Sequence, residues 1–137
     1  MRKYYLFVIK NDYQQIYKNH SYVLFKTLEN LKGTIPVNFP YGMSLYEQLC
    51  QTFHSDILNN YIKRKFKCKK INKKIIKINS MVENTYIQVN KSCTIILTNL
   101  NIPPVFRIFD IYNKRIFVCD FENQDYFWLN EQIKKSR

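Results

Sequence analysis

The chain opens on a run that leaves little freedom in how it folds. Tyr4-Tyr5-Leu6-Phe7-Val8-Ile9 is unbroken, aromatic and aliphatic, and Asn11-Asp12 bounds it. A short apolar run of this kind predicts a buried strand over 3–10. A second such segment lies near the other end. Phe117-Val118-Cys119-Asp120-Phe121 predicts a strand over 115–121, followed by the aromatic tail Tyr126-Phe127-Trp128-Leu129-Asn130. Neither segment holds a catalytic constellation. Both place large, stiff aromatics next to adaptable amides, which is what a protein-binding surface uses. The chain therefore reads as a binding module before it reads as an enzyme.

Between these ends the pattern alternates helix and strand signals. Asp12 is placed to cap a short helical turn over 13–18. Ser21 caps a helix over about 21–32, where Tyr22, Phe25, Leu28 and Leu31, or Leu24, Leu28 and Leu31, give the spacing and Gly33 ends it. Residues 34–43 form a loop with Pro36, Pro40 and Gly42. Ser44 and Glu47 make a capping box for the next helix. Leu45, Leu49, Phe53 and Ile57 recur every fourth residue, so this helix runs to about 64 or restarts at Ser55-Asp56. Strands follow at about 73–79, 84–90 and 93–99, the last two joined as a hairpin at Asn90-Lys91-Ser92. Pro103-Pro104 opens a short helix with Val105, Phe106, Ile108, Phe109 and Tyr112 apolar. The order β-α-α-β-β-β-α-β predicts an α+β fold: one domain over 1–137, with a mixed, mostly antiparallel sheet packed against helices. No repeat or linker divides the 137 residues.

Composition narrows the function classes. The aromatic share is 16%, mostly 11 Tyr and 10 Phe, and Tyr can bury its ring while its hydroxyl stays wet, so part of it is expected at a surface. Net charge is +12, unevenly spread. Lys63, Arg64, Lys65, Lys67, Lys69, Lys70, Lys73, Lys74 and Lys77 form a run without an acid, while Asp110, Asp120, Glu122, Asp125 and Glu131 gather near the last strand. The run supports an alternative reading as a small nucleic-acid-associated protein, with Lys63, Arg64, Lys65, Lys67, Lys69 and Lys70 on phosphates and an affinity that falls with salt. Only Phe66 among its residues is aromatic, which is thin for base stacking, and no recognition motif accompanies it.

Other chemistries find less support. Cys50, Cys68, Cys93 and Cys119 form no CxxC pair and read as reduced, core-filling thiols. Cys50 and His54 share a helical spacing that suits zinc, but the further ligands, Cys68 and His20, would have to converge from elsewhere, so no metal or cofactor is expected. Asp120 and Glu122 alternate on the last strand and could pair as acid and base; a solvated strand end is the simpler reading. Trp128 reads as a core anchor for the tail. The first apolar run is too short for a signal peptide, and no segment approaches the roughly 20 apolar residues of a membrane span, so a cytoplasmic chain is expected.

Particular residues also carry a resemblance. Tyr4-Tyr5, Phe7-Val8-Ile9-Lys10, Tyr13, Tyr17 and Val23-Leu24-Phe25 resemble the N-terminus of the SirA family, the sporulation inhibitors of replication in endospore-forming bacteria. Tyr41, Met43 and Ser44 before a Gln-containing helix, and Phe117–Phe121 followed by Tyr126, Trp128, Leu129 and Asn130, are similar to the same family. The middle, roughly 60–112, matches only in predicted element order. The tail departs from the family's Arg-Tyr-Gly-Trp by carrying Asp125-Tyr126-Phe127-Trp128. The resemblance implies a small monomeric protein without catalytic activity or cofactor, which binds the N-terminal domain of the replication initiator DnaA and inhibits DNA replication initiation. By position, the family's contact residues fall on Tyr13, on Tyr17, and on Glu47 or Gln48, with Gln14 beside the tyrosines. Independently of it, Tyr13 and Tyr17 are spaced i, i+4 and share one face of a helical turn.

Overall fold

The computed structural model describes residues 1–34 and 45–135. The loop with Pro36, Pro40 and Gly42, the Tyr41–Ser44 segment and the Ser44 half of the capping box lie outside the described residues. The elements are β1 (Arg2–Ile9), α1 (Asn11–Tyr17), α2 (Ser21–Thr34), a helical turn α3 over 45–49, β2 (Cys50–Gln51), α4 (Ser55–Lys65), β3 (Cys68–Lys70), β4 (Ile75–Asn79), β5 (Asn84–Val89), β6 (Thr94–Thr98), α5 (Phe106–Tyr112), β7 (Ile116–Asp120), β8 (Asp125–Trp128) and α6 (Leu129–Lys135). The fold is α+β, built on an 8-stranded sheet of order β3-β4-β5-β6-β1-β7-β8, with β2 paired to β1. Every ladder among the described residues is antiparallel, so the expected mixed sheet is antiparallel throughout.

The central position of β1 explains its unbroken apolar run. On one edge it pairs with β6 over Arg2–Leu6 and then with β2 at Val8–Ile9; on the other it pairs with β7 over Tyr5–Val8. Both of its faces are also covered. Tyr4, Leu6 and Val8 join one core with Leu58 and Ile62 of α4, Phe106 and Phe109 of α5, and Leu129 and Ile133 of α6. Phe7 and Ile9 join a second core with Leu24, Phe25, Leu28 and Leu31 of α2 and with Tyr46 and Leu49 of α3. Helices thus lie on both sides of one sheet.

Several boundaries differ from expectation for identifiable reasons. Asp12 is not the cap of α1. The chain enters the helix at Lys10, whose extended backbone precedes the first bond, Gln14 N–H to Lys10 carbonyl at 2.9 Å. Ser21 is likewise one residue inside α2, where Leu24 N–H reaches the His20 carbonyl at 3.2 Å. Of the two apolar stripes, the one through Leu24, Leu28 and Leu31 is buried, with Phe25, while Tyr22 is exposed. The helix described from 45 stops at Leu49, and helix resumes at Ser55. Lys10 N–H bonds the Leu49 carbonyl and Phe53 N–H bonds the Lys91 carbonyl, so the intervening backbone is spent on sheet-like pairing. The lysine run hides edge strand β3, and the aromatic tail is a hairpin strand, β8, leading into α6. No helix among the described residues is long and apolar enough to cross a membrane.

Candidate partner-binding groove

The end of β1 delivers the chain into α1, a helix with no fully buried residue. Tyr13 and Tyr17 face inward from it, half-buried against the second core. Their i, i+4 spacing puts both rings over the same groove, a depression of ≈ 110 Å³ lined also by Thr27 and Leu31 of α2 and by Leu45, Gln48 and Leu49 of α3. The floor is apolar and nearly closed: Leu31 and Leu49 are 4% and 6% exposed. Thr27 donates its hydroxyl to the Val23 carbonyl at 2.8 Å, which leaves its methyl group for the wall. Gln48 is exposed and stands on the α3 side, a polar amide at the rim of an aromatic and aliphatic patch.

The structure brings together Tyr13, Tyr17 and Gln48 from two distant segments, and it separates Gln14 and Glu47 from them. Gln14 turns to the other side of α1, toward Asn11, Lys18, Arg115 and Glu131. Glu47 is exposed and borders a different depression with Tyr46, Gln51 and Lys91, while its carbonyl accepts a hydrogen bond from Lys10 Nζ. Thr27 and Leu31 are groove residues that the sequence reading missed. Their signal was their own i, i+4 spacing on α2, without anything to say which neighbour they faced.

The basic run does not form one surface. Lys63, Arg64 and Lys65 end α4, Lys67 lies in the link, and Lys69 and Lys70 lie on β3. Lys63, Lys70, Lys73 and Lys74 converge with Asn59 and Asn60 around a polar basin, which Asp56 also borders. Lys69 pairs with Lys77, on the opposite face of the sheet from Lys70.

The remaining candidates have structural partners. Asp120 is buried, and Arg2 Nε and Asn123 Nδ2 donate to its carboxylate at 3.0 and 2.7 Å. Burial alone would raise its pKa, but the hydrogen bonds from Asn123 and Arg2 outweigh it and hold the carboxyl below its ordinary value. Glu122 lies in the turn beyond β7, exposed, so the two carboxylates do not alternate on one strand. Burial pushes the Cys93 thiol up to about 11 and raises Cys50 and Cys119 as well, which favours the protonated thiol over the nucleophilic thiolate. Cys50 and His54 lie on β2 and before α4, not on a common helix, and no group of three or more His, Cys, Asp or Glu is placed to hold a metal among the described residues. Trp128 is 5% exposed and meets Phe117 edge-on at 4.9 Å, an anchor for the tail. No protein-family model matches the chain, and no curated protein matches it.

Proposed function

We propose that the chain is a non-enzymatic inhibitor of DNA replication initiation that docks on the N-terminal domain of DnaA through the α1–α2–α3 groove. The observation that carries this reading is the convergence of Tyr13, Tyr17 and Gln48 on one groove. The resemblance to the SirA family points to Tyr13, Tyr17 and either Glu47 or Gln48, and of these Tyr13, Tyr17 and Gln48 line a common depression. The physical character of the groove suits a protein partner. Two tyrosines are held half-buried on a short helix, so they lose little side-chain freedom on docking. An apolar floor with a polar rim is the usual anatomy of an interface centre. Docking there would act by steric competition: a partner surface covered by this chain is closed to self-assembly or to helper proteins. This reading places the chain in the cytoplasm of a sporulating cell, as a monomer, without a cofactor.

The test is a titration with the N-terminal domain of DnaA from the same organism. Saturable binding is expected, and Tyr17→Ala should weaken it by about 30-fold, the equivalent of roughly 2 kcal/mol for a buried aromatic anchor. Gln48→Ala should weaken it and Glu47→Ala should not. Absence of binding by the wild-type chain would overturn the assignment of the partner.

A further inference from the structure

Among the described residues, strands β4, β5 and β6 have one face covered by helices and one face open. Ile76, Ile78, Ile87 and Ile96 are buried in the first core, whereas their neighbours Ile75, Lys77, Tyr86, Gln88, Ile95 and Leu97 are only partly buried. The register aligns the open-face residues into two rows. One runs Lys69–Lys77–Tyr86–Leu97–Lys3 across five strands, about 19 Å from end to end. The other runs Ile75–Gln88–Ile95 and ends against Tyr5, whose ring packs on Phe121 of the second core. The centre is a shallow depression of ≈ 310 Å³ lined by Lys3, Ile75, Tyr86, Gln88, Ile95 and Leu97.

Charge and shape select the occupant. The open-face residues of these strands include Lys3, Lys69 and Lys77 and no Asp or Glu. A second copy of this chain would bring the same lysines against each other, which opposes self-association. Lys77 Nζ lies 5.2 Å from the centre of the Tyr86 ring, so the partly buried aromatic carries a cation at its side. A flat ring among aliphatic side chains, an amide at Gln88 and cations at both ends of a row fit a single-stranded polynucleotide: base on ring, base edge on amide, phosphates on lysines. A duplex hides its base faces and would use only the lysines.

We infer that the open face of β4–β5–β6 and the start of β1 is a binding site for single-stranded nucleic acid, centred on Tyr86. This site is separate from the groove at Tyr13 and Tyr17 and does not depend on the partner proposed for it. Lys63, Lys70, Lys73 and Lys74, at the basin on the other side of the sheet, add a general attraction for phosphate.

The test is fluorescence anisotropy with labelled oligo(dT) and oligo(rU) of about 12 nucleotides, beside a duplex of the same length. The single strands should bind saturably and more tightly than the duplex, and their order of affinity tells DNA from RNA as the ligand. Tyr86→Ala should weaken binding by about 10-fold, while Tyr86→Phe retains it. The slope of log affinity against log salt should be about −2 for three lysines on a single strand, and smaller in Lys77→Gln. Tyr17→Ala should bind the oligonucleotides as the wild type does. Four results would overturn the inference: no binding, equal affinity for duplex, no loss in Tyr86→Ala with an unchanged circular dichroism spectrum, or equal competition by poly-glutamate. The last would indicate an acidic protein segment as the ligand.

Discussion

Strands β4 and β7 are each five residues long, and they live in different surroundings. Every residue of β7 is buried, because α5 and α6 lie on one side of it and α2 on the other. Along β4 burial alternates, since only one face meets helices. The sheet is therefore two structures joined at β1. One half is a three-layer core whose partners are all within the chain. The other half is, among the described residues, a two-layer core with one face uncovered. The difference is written in residue choice: Ile116-Phe117-Val118-Cys119 is continuous, whereas Ile75 to Asn79 interposes Lys77. The groove belongs to the first half and the lysine-flanked face to the second, so the two proposed recognition surfaces can be altered separately.

Substitutions in the two halves should differ most in stability. Phe117→Ala removes a fully buried ring that packs on Trp128 and should cost about 4 kcal/mol in denaturant unfolding. A loss below about 1 kcal/mol would mean that β7 is not sandwiched as described. Arg2→Ala unties the start of β1 from Asp120 and Asp125 across the edge of the covered half and should cost about 2 kcal/mol. This pair also gives a pH dependence. The folded-state pKa of Asp120 is lowered, so the native state binds fewer protons than the unfolded chain. The resulting stability is present above the unfolded carboxylate value of about 4 and is lost as pH falls through the lower folded value. Urea midpoints measured across that range should fall less steeply in Asp120→Asn than in the wild type.

Smaller effects sharpen the contrast. Thr94 Oγ1 is buried on β6 without a hydrogen-bond partner among the described residues, so Thr94→Val should be neutral or stabilise by about 1 kcal/mol. Tyr86→Ala, on the open face, should change stability by about 0.5 kcal/mol while changing oligonucleotide affinity far more. Equal losses for Phe117→Ala and Tyr86→Ala would erase the distinction between the halves.

Much of this architecture was legible in the sequence. The hairpin at Asn90-Lys91-Ser92 forms as expected, closed by Asn90 N–H to the Cys93 carbonyl at 3.0 Å, and β4 to β6 lie within about two residues of the predicted strands. What was hidden depends on distant partners. The β7–β8 turn has no glycine; Gln124 takes φ 53 there, held by its amide bonds to Glu29 on α2 and to the Phe121 carbonyl. Asp120 and Asn123 are turn formers, joined here by Asn123 N–H to Asp120 Oδ1 at 3.2 Å, but no glycine marks the positive-φ position, so β8 reads as a tail. Strand β3 was masked because lysines at an edge look like a solvated run, although they also protect the edge from adventitious pairing. At the groove, the joint face of Tyr13 and Tyr17 followed from spacing alone. The choice of Gln48 over Glu47 required the orientation of α3, which the backbone bond from Lys10 to Leu49 fixes from the far end of β1.

The most direct test of two separate surfaces is an amide chemical-shift map of the labelled chain titrated with the DnaA N-terminal domain. The account predicts shifts clustered at Tyr13, Tyr17, Thr27, Leu31 and Gln48, with Tyr86, Gln88 and Ile95 unmoved. Shifts centred on Tyr86 and Leu97, or spread over the lysines without the groove, would contradict it.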